Sequence, residues 1–203
     1  MPTMTMRRRG TAIAGAAVLA LSTLGLAAPV GATDAPVLED CFGNPLPWFG
    51  GTIFVPENST DWTYGTSGND VIIGTDDVDL ISGEGGDDVI CGGGGADWLL
   101  GSYGDDSIDG EWGADVIDGY DGIDYIYGHS GDDDLYGSDD EDHIFGGRGD
   151  DEMYGGDDND TLWGEHDGDD LDCGAGADDY ADLGVGVDDP PSGCEEWYDP
   201  WWA

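Results

Sequence analysis

Thirteen aspartates follow one another at intervals of nine residues: Asp70, Asp79, Asp88, Asp97, Asp106, Asp115, Asp124, Asp133, Asp142, Asp151, Asp160, Asp169 and Asp178. An ionised carboxylate only accepts hydrogen bonds, so a regular file of them suits a hard cation held through oxygen. Carboxylate pairs also serve acid–base catalysis, but they are so common in this chain that no pair marks a site. The other reactive side chains are few. His129, His143 and His166 fall at three different places within their repeats and share no ligand spacing, which assigns them to the surface rather than to zinc. Neither H-E-x-x-H nor G-x-S-x-G occurs, and the 32 residues before the periodic region and 22 after it leave no room for an enzyme domain. The expectation is a binding protein and not an enzyme.

The elements that place the aspartates are visible as a repeat. Cut from Gly65, the chain reads as thirteen uninterrupted nonapeptides ending at Ala181, for example GEGGDDVIC, GGGGADWLL and GSYGDDSID. Position one is Gly in every unit but the last, where Cys173 stands; position four is Gly in nine units and Asp in four, at Asp77, Asp140, Asp158 and Asp167. Such glycines permit positive φ and close backbone approach, so positions one to six read as a turn that aims backbone groups inward. Positions seven to nine read as a short strand whose alternation turns position eight inward. That predicts an interior of Ile72, Ile81, Ile90, Leu99, Ile108, Ile117, Ile126, Leu135, Ile144, Met153, Leu162 and Leu171; position eight of the last unit is Tyr180. Two nonapeptides make one coil of a thin two-sheet sandwich.

The pattern resembles G-G-x-G-x-D-x-U-x, the nonapeptide of RTX or hemolysin-type calcium-binding repeats, across residues 65–181. The resemblance implies an all-β fold, a right-handed parallel β-roll, in which each calcium ion sits between turns one coil apart, held by position-six aspartates and turn carbonyls. Calcium accepts six to eight oxygens of this kind at flexible geometry. Carried over, one stack is Asp70, Asp88, Asp106, Asp124, Asp142, Asp160 and Asp178, and the other is Asp79, Asp97, Asp115, Asp133, Asp151 and Asp169. The gaps between stacked neighbours allow up to about eleven ions. One aliphatic side chain per nine residues buries too little surface to offset the entropy of ordering, so the chain is expected to be an expanded polyanion without calcium and to coil up with it. The four position-four aspartates add a ligand to their turns or spoil them.

Residues 1–32 read as a signal peptide: Arg7, Arg8 and Arg9, then an apolar run, then the small residues Val30-Gly31-Ala32. No second apolar stretch of spanning length follows. Beyond residue 32 one arginine, Arg148, faces 47 acids, a formal charge of −46 that excludes nucleic acid and anionic membranes as partners. The protein is expected to be secreted. Typical members of the resembled family leave through a one-step machine that reads a carboxy-terminal signal, so an amino-terminal leader is a departure and toxin activity does not carry over.

Residues 33–64 and 182–203 break the period, bring in Trp48, Phe49, Trp197, Tyr198, Trp201 and Trp202, and are read as caps that cover the roll's ends. Four cysteines allow three pairings; Cys41 with Cys91 and Cys173 with Cys194 is the one that pins each flank to its nearer end. Secreted actinobacterial RTX-like proteins carry similar ICGG and LDCGxGxD…SGCE segments, and this resemblance supports the same pairing. Outside the turns, position nine is aromatic at Tyr127, Tyr136, Phe145, Tyr154 and Trp163. These rings form outward ladders that stabilise the sheets, or in the strip Tyr127, Phe145 and Trp163 dock a cell-surface glycan or protein. The leading function is an extracellular calcium-binding module for surface or matrix adhesion. The alternatives are a remnant of a larger exoprotein, toxin or enzyme, and an ice-binding solenoid built on Thr66 and Thr75, although position two carries no continuing threonine row.

Overall fold

The computed structural model describes residues 41–43, 51–186, 191–194 and 196–198; the expected signal peptide, Trp48, Phe49, Trp201 and Trp202 lie outside them. Sixteen strands follow in chain order: β1 (Thr52–Phe54), β2 (Thr63–Tyr64), β3 (Val71–Ile73), β4 (Leu80–Ser82), β5 (Val89–Gly95), β6 (Trp98–Tyr103), β7 (Ser107–Gly113), β8 (Val116–Asp121), β9 (Tyr125–Ser130), β10 (Asp134–Asp139), β11 (His143–Arg148), β12 (Glu152–Asp157), β13 (Thr161–His166), β14 (Asp170–Ala175), β15 (Tyr180–Asp182) and β16 (Glu196–Tyr198). The odd strands and β16 form a nine-stranded sheet, and the even strands from β2 to β14 a seven-stranded one. Every pairing is parallel, so the chain is a β-solenoid of about seven turns. The described residues contain no helix, and hence none long and apolar enough to cross a membrane.

The register is the nonapeptide doubled. Ile126 pairs with Ile144 and Ile144 with Leu162, each eighteen residues on, so position eight stacks on itself. All twelve aliphatic residues expected inside are fully buried. The strands in the middle of the roll reach past the expected triplet; β7 runs from position seven through position four of the next unit. The cause is that turn amides keep bonding to the neighbouring coil, as Gly94 N does to the Thr75 carbonyl at 2.8 Å.

The flanks join the solenoid rather than merely covering it. β1 pairs with β3 and β2 with β4, which puts Ile53 beside Ile72 and builds a coil ahead of Gly65. At the other end β16 continues the odd sheet, and Leu183 is buried with the core. The thirteenth unit is one residue longer than the period requires. Ala181, not Tyr180, pairs with Leu162 and is buried, because the extra residue is taken up in the turn before it. Disulfides join Cys41 to Cys91 and Cys173 to Cys194, tying each flank to its nearer end.

Glycine serves two purposes in two places. At position one the backbone is not left-handed, and closeness is the reason: a Cβ on Gly92 would lie 2.7 Å from Asp97 Oδ2 and 2.9 Å from the Gly110 carbonyl oxygen. Left-handed backbone occurs instead at positions two and four. Position two adopts it even with Glu84, Ser102, Glu111, Tyr120, His129, Ser138 and Glu165, a strain of about 1–3 kcal/mol each for an L side chain. Asp109 relieves one of these by accepting the Glu111 amide at 2.9 Å.

Candidate metal centre

Each position-six aspartate sits where a turn enters a strand, and the parallel register stacks it on its counterpart one coil away. The backbone amide of each donates to Oδ1 of the next: Asp70 to Asp88, Asp88 to Asp106, Asp106 to Asp124, Asp124 to Asp142 and Asp142 to Asp160 in one row. The second row runs Asp79 to Asp97, Asp97 to Asp115, Asp115 to Asp133, Asp133 to Asp151 and Asp151 to Asp169. These bonds measure 2.7–3.1 Å, and one carboxylate oxygen per unit is thereby spent on holding the coils together.

Asp178 does not continue the first row. The longer thirteenth unit puts Asp179 there: Asp179 is fully buried and accepts the Asp160 amide at 3.0 Å. Asp178 is exposed, and its amide turns outward to Asn159 Oδ1. The sequence holds both candidates side by side in Ala177-Asp178-Asp179, and the intact nine-residue count selects the wrong one.

The second oxygen carries the chemistry. Oδ2 of Asp88, Asp97, Asp106, Asp115, Asp124, Asp133, Asp142, Asp151 and Asp160 is buried and meets no hydrogen-bond donor. Each lies against the position-one glycine of its own unit, beside the position-one carbonyl one coil on, a glycine's in every case but Asp160, where it is Cys173's; around Gly128, for instance, Asp133 Oδ2 and the Gly146 oxygen lie 2.5 and 2.7 Å from where a Cβ would be. Among the described residues no three His, Cys, Asp or Glu side chains group to hold a metal, so the donor set combines carboxylate with backbone carbonyl. Hard oxygen donors of this mixture fit calcium. The residues that would hold it are the aspartates with donorless Oδ2 and the turn carbonyls beside them; bound there, calcium would supply positive charge to a row of buried acids.

Without that charge the acids hold protons instead. Burial raises Asp88, Asp115 and Asp151 from 3.8 to about 6, Asp97, Asp124, Asp133 and Asp160 to about 7, and Asp106 and Asp142 to about 8, against the lowering effect of the amide bonds described above. A pKa raised on folding means that the folded chain binds more protons, so this contribution is full below pH 4 and is lost as pH rises through 6 to 8. In the presence of chelator, the strand content by circular dichroism is therefore expected to fall between pH 4 and pH 8. That order is the reverse of ordinary acid denaturation; strand content that rises with pH in chelator contradicts it.

The position-four substitutions keep the turn. Asp140, Asp158 and Asp167 adopt φ of 78°, 75° and 79° in the left-handed region that glycine takes elsewhere, whereas Asp77 does not. The histidines are scattered: His129 Nε2 lies 3.3 Å from Asp109 Oδ2, His143 packs against Tyr125 and Trp163, and His166 bridges to Val185. The aromatic ladders form as stacks, Tyr127 on Phe145 at 4.8 Å, Phe145 on Trp163 at 4.3 Å and Tyr136 on Tyr154 at 5.0 Å, within 5° of parallel. Phe42 sits edge-on against Tyr127 at 5.4 Å. Rings stacked this way use their faces on one another and turn edges outward, an arrangement for sheet cohesion more than for stacking sugars.

Comparison with known proteins agrees with the donor geometry. No curated protein matches the chain. A family model described as the RTX calcium-binding nonapeptide repeat (4 copies) matches residues 64–99, 92–126, 118–153, 127–162 and 145–180, which takes in both carboxylate rows and more than half of the sequence. With that coverage added to the stacked, donorless acids, the chain belongs to the RTX calcium-binding nonapeptide repeat family.

Proposed function

We propose that this calcium-binding β-roll is secreted, folds when it meets calcium outside the cell, and works there as a surface or matrix binding module rather than as an enzyme. The observation that carries the reading is the double row of buried aspartates whose Oδ2 atoms lack donors. Two disulfides support an oxidising compartment. The same row explains a folding switch: buried acids repel one another until an external cation compensates them. A charge of −46 after residue 32 directs the module to cationic or neutral partners. The ice-binding alternative loses ground because both threonine hydroxyls are engaged, Thr66 Oγ1 with the Gly68 carbonyl and Thr75 Oγ1 with Asp79 Oδ2.

Titration calorimetry of the full chain, starting calcium-free at neutral pH, tests the proposal. The expected result is saturable calcium uptake at several sites per chain, accompanied by a gain of strand signal. Magnesium at the same concentrations is expected to give much less, because it demands a tighter octahedron and sheds water reluctantly. Uptake that never saturates, or a strand signal indifferent to calcium, overturns the reading.

A further inference from the structure

Resting on the calcium reading above, we infer that the first nonapeptide coil, residues 65–82, is closed to calcium by its own hydrogen-bond donors, supplied by Thr66 and Thr75, and that no more than nine of the eleven gaps hold an ion. The Thr66 amide donates to Asp70 Oδ2 at 2.6 Å, and the Thr75 amide and Oγ1 donate to Asp79 Oδ2 at 2.6 and 3.0 Å. In nine later units the same Oδ2 atom is buried and meets no donor. A carboxylate oxygen has two lone-pair sites: Thr75 fills both on Asp79 Oδ2, and the Thr66 amide fills one on Asp70 Oδ2 and sets partial positive charge where a cation would sit, so the ion is displaced from both.

The backbone explains why these two units are closed at the start of the roll. Glu84, Ser102, Glu111, Tyr120, His129 and Ser138 at position two have φ of 66–90°, whereas Thr66 and Thr75 stay out of the left-handed region and their amides turn toward the aspartate. The orientation of the carboxylates fixes which gaps are lost. From Asp88 and Asp97 onward Oδ1 takes an amide from the coil before, whereas Asp79 Oδ1 is buried without a donor; in Asp70 and Asp79, as in the later units, Oδ2 lies beside the position-one carbonyl of the coil after. Asp70 and Asp79 therefore close the gaps toward Asp88 and Asp97. At the far end the Gly176 amide donates to Asp179 Oδ2 at 3.0 Å, but no further aspartate of the row follows, so no gap is removed. The row from Asp70 to Asp179 thus begins and ends on protein donors, with the Cys41–Cys91 disulfide beside the closed nonapeptide coil.

Native mass spectrometry, with elemental analysis for calcium, on the full chain and on Asp70→Asn, Asp79→Asn, Asp97→Asn and Asp106→Asn tests this. The wild type is expected to hold nine ions or fewer, Asp70→Asn and Asp79→Asn to hold as many as the wild type, and Asp97→Asn and Asp106→Asn to lose at least one each. Ten or eleven ions in the wild type, or an ion lost from Asp79→Asn or Asp70→Asn, overturns the inference. Hydrogen exchange on the calcium-loaded wild type gives a check that needs no variant: the Thr66 and Thr75 amides are expected to be protected, and free exchange at both overturns it. A wild type that takes up no calcium overturns the calcium reading itself, which a misplaced count does not.

Discussion

Moving the full chain from saturating calcium into excess chelator at pH 8 is expected to abolish most of its parallel-strand circular dichroism, and returning calcium to restore it. At pH 8 the most strongly shifted acids, near 8, are about half ionised, and the others, near 6 and 7, mostly so. Nine buried oxygens then carry charge without a donor, eighteen residues apart along each stack. The aliphatic core cannot hold them together, since it is one residue wide. A site whose free calcium is tenfold above its dissociation constant adds about 1.4 kcal/mol, so nine such sites, the number inferred above, would add about 13 kcal/mol. That equals the whole stability of an ordinary domain, about 5–15 kcal/mol, which is why removal of calcium alone is enough. The disulfides hold only the two flanks, and leave the coils between Cys91 and Cys173 to the ions. Unchanged strand signal in chelator at pH 8 would show that hydrogen bonds and the aromatic stacks suffice.

How far this was readable from the sequence depends on what kept the period. Position eight was legible because burial demands an aliphatic residue there each time, and all twelve such residues lie inside. The carboxylate rows were legible for the same reason, except where the period slips. Asp178 and Asp179 are chemically identical, and only the coil above, whose Asp160 amide must find an acceptor, decides between them. Two other features leave no periodic trace. β1 and β2 contain no nonapeptide, because a first coil needs strand pairing but not a metal turn. The closing of Asp70 and Asp79 depends on a backbone angle at Thr66 and Thr75, and a threonine at position two is unremarkable until that angle is seen.

Position four offers the sharpest single-atom test, because the same substitution at the same place in the repeat is expected to do nothing in one coil and to divide the roll in another. Gly131 has φ of 147°, its amide is fixed to the Arg148 carbonyl at 2.9 Å, and a Cβ built on it overlaps the Gly113 carbonyl oxygen. Gly68, also at position four, is outside the left-handed region and a Cβ there meets nothing within 4 Å. The Gly113 oxygen cannot yield locally, since the coils on either side are pinned by the Asp115-to-Asp133 and Asp133-to-Asp151 bonds at 2.8 and 2.9 Å. Gly131→Ala must therefore separate two coils, disturbing the oxygens around Asp115 and Asp133 together. Losses above about 4 kcal/mol mark such steric faults, whereas a substitution in open space stays within about 0.5 kcal/mol. With saturating calcium, Gly131→Ala is expected to melt about 10 °C or more below the wild type and Gly68→Ala within about 2 °C of it. Because each coil touches only its neighbours, the break at Gly131 should also split melting into two steps, one for each side. Equal melting of the two variants would mean that neighbouring coils slide freely past a methyl group, and the oxygens beside Asp115 and Asp133 would then not be held at fixed separation by the backbone.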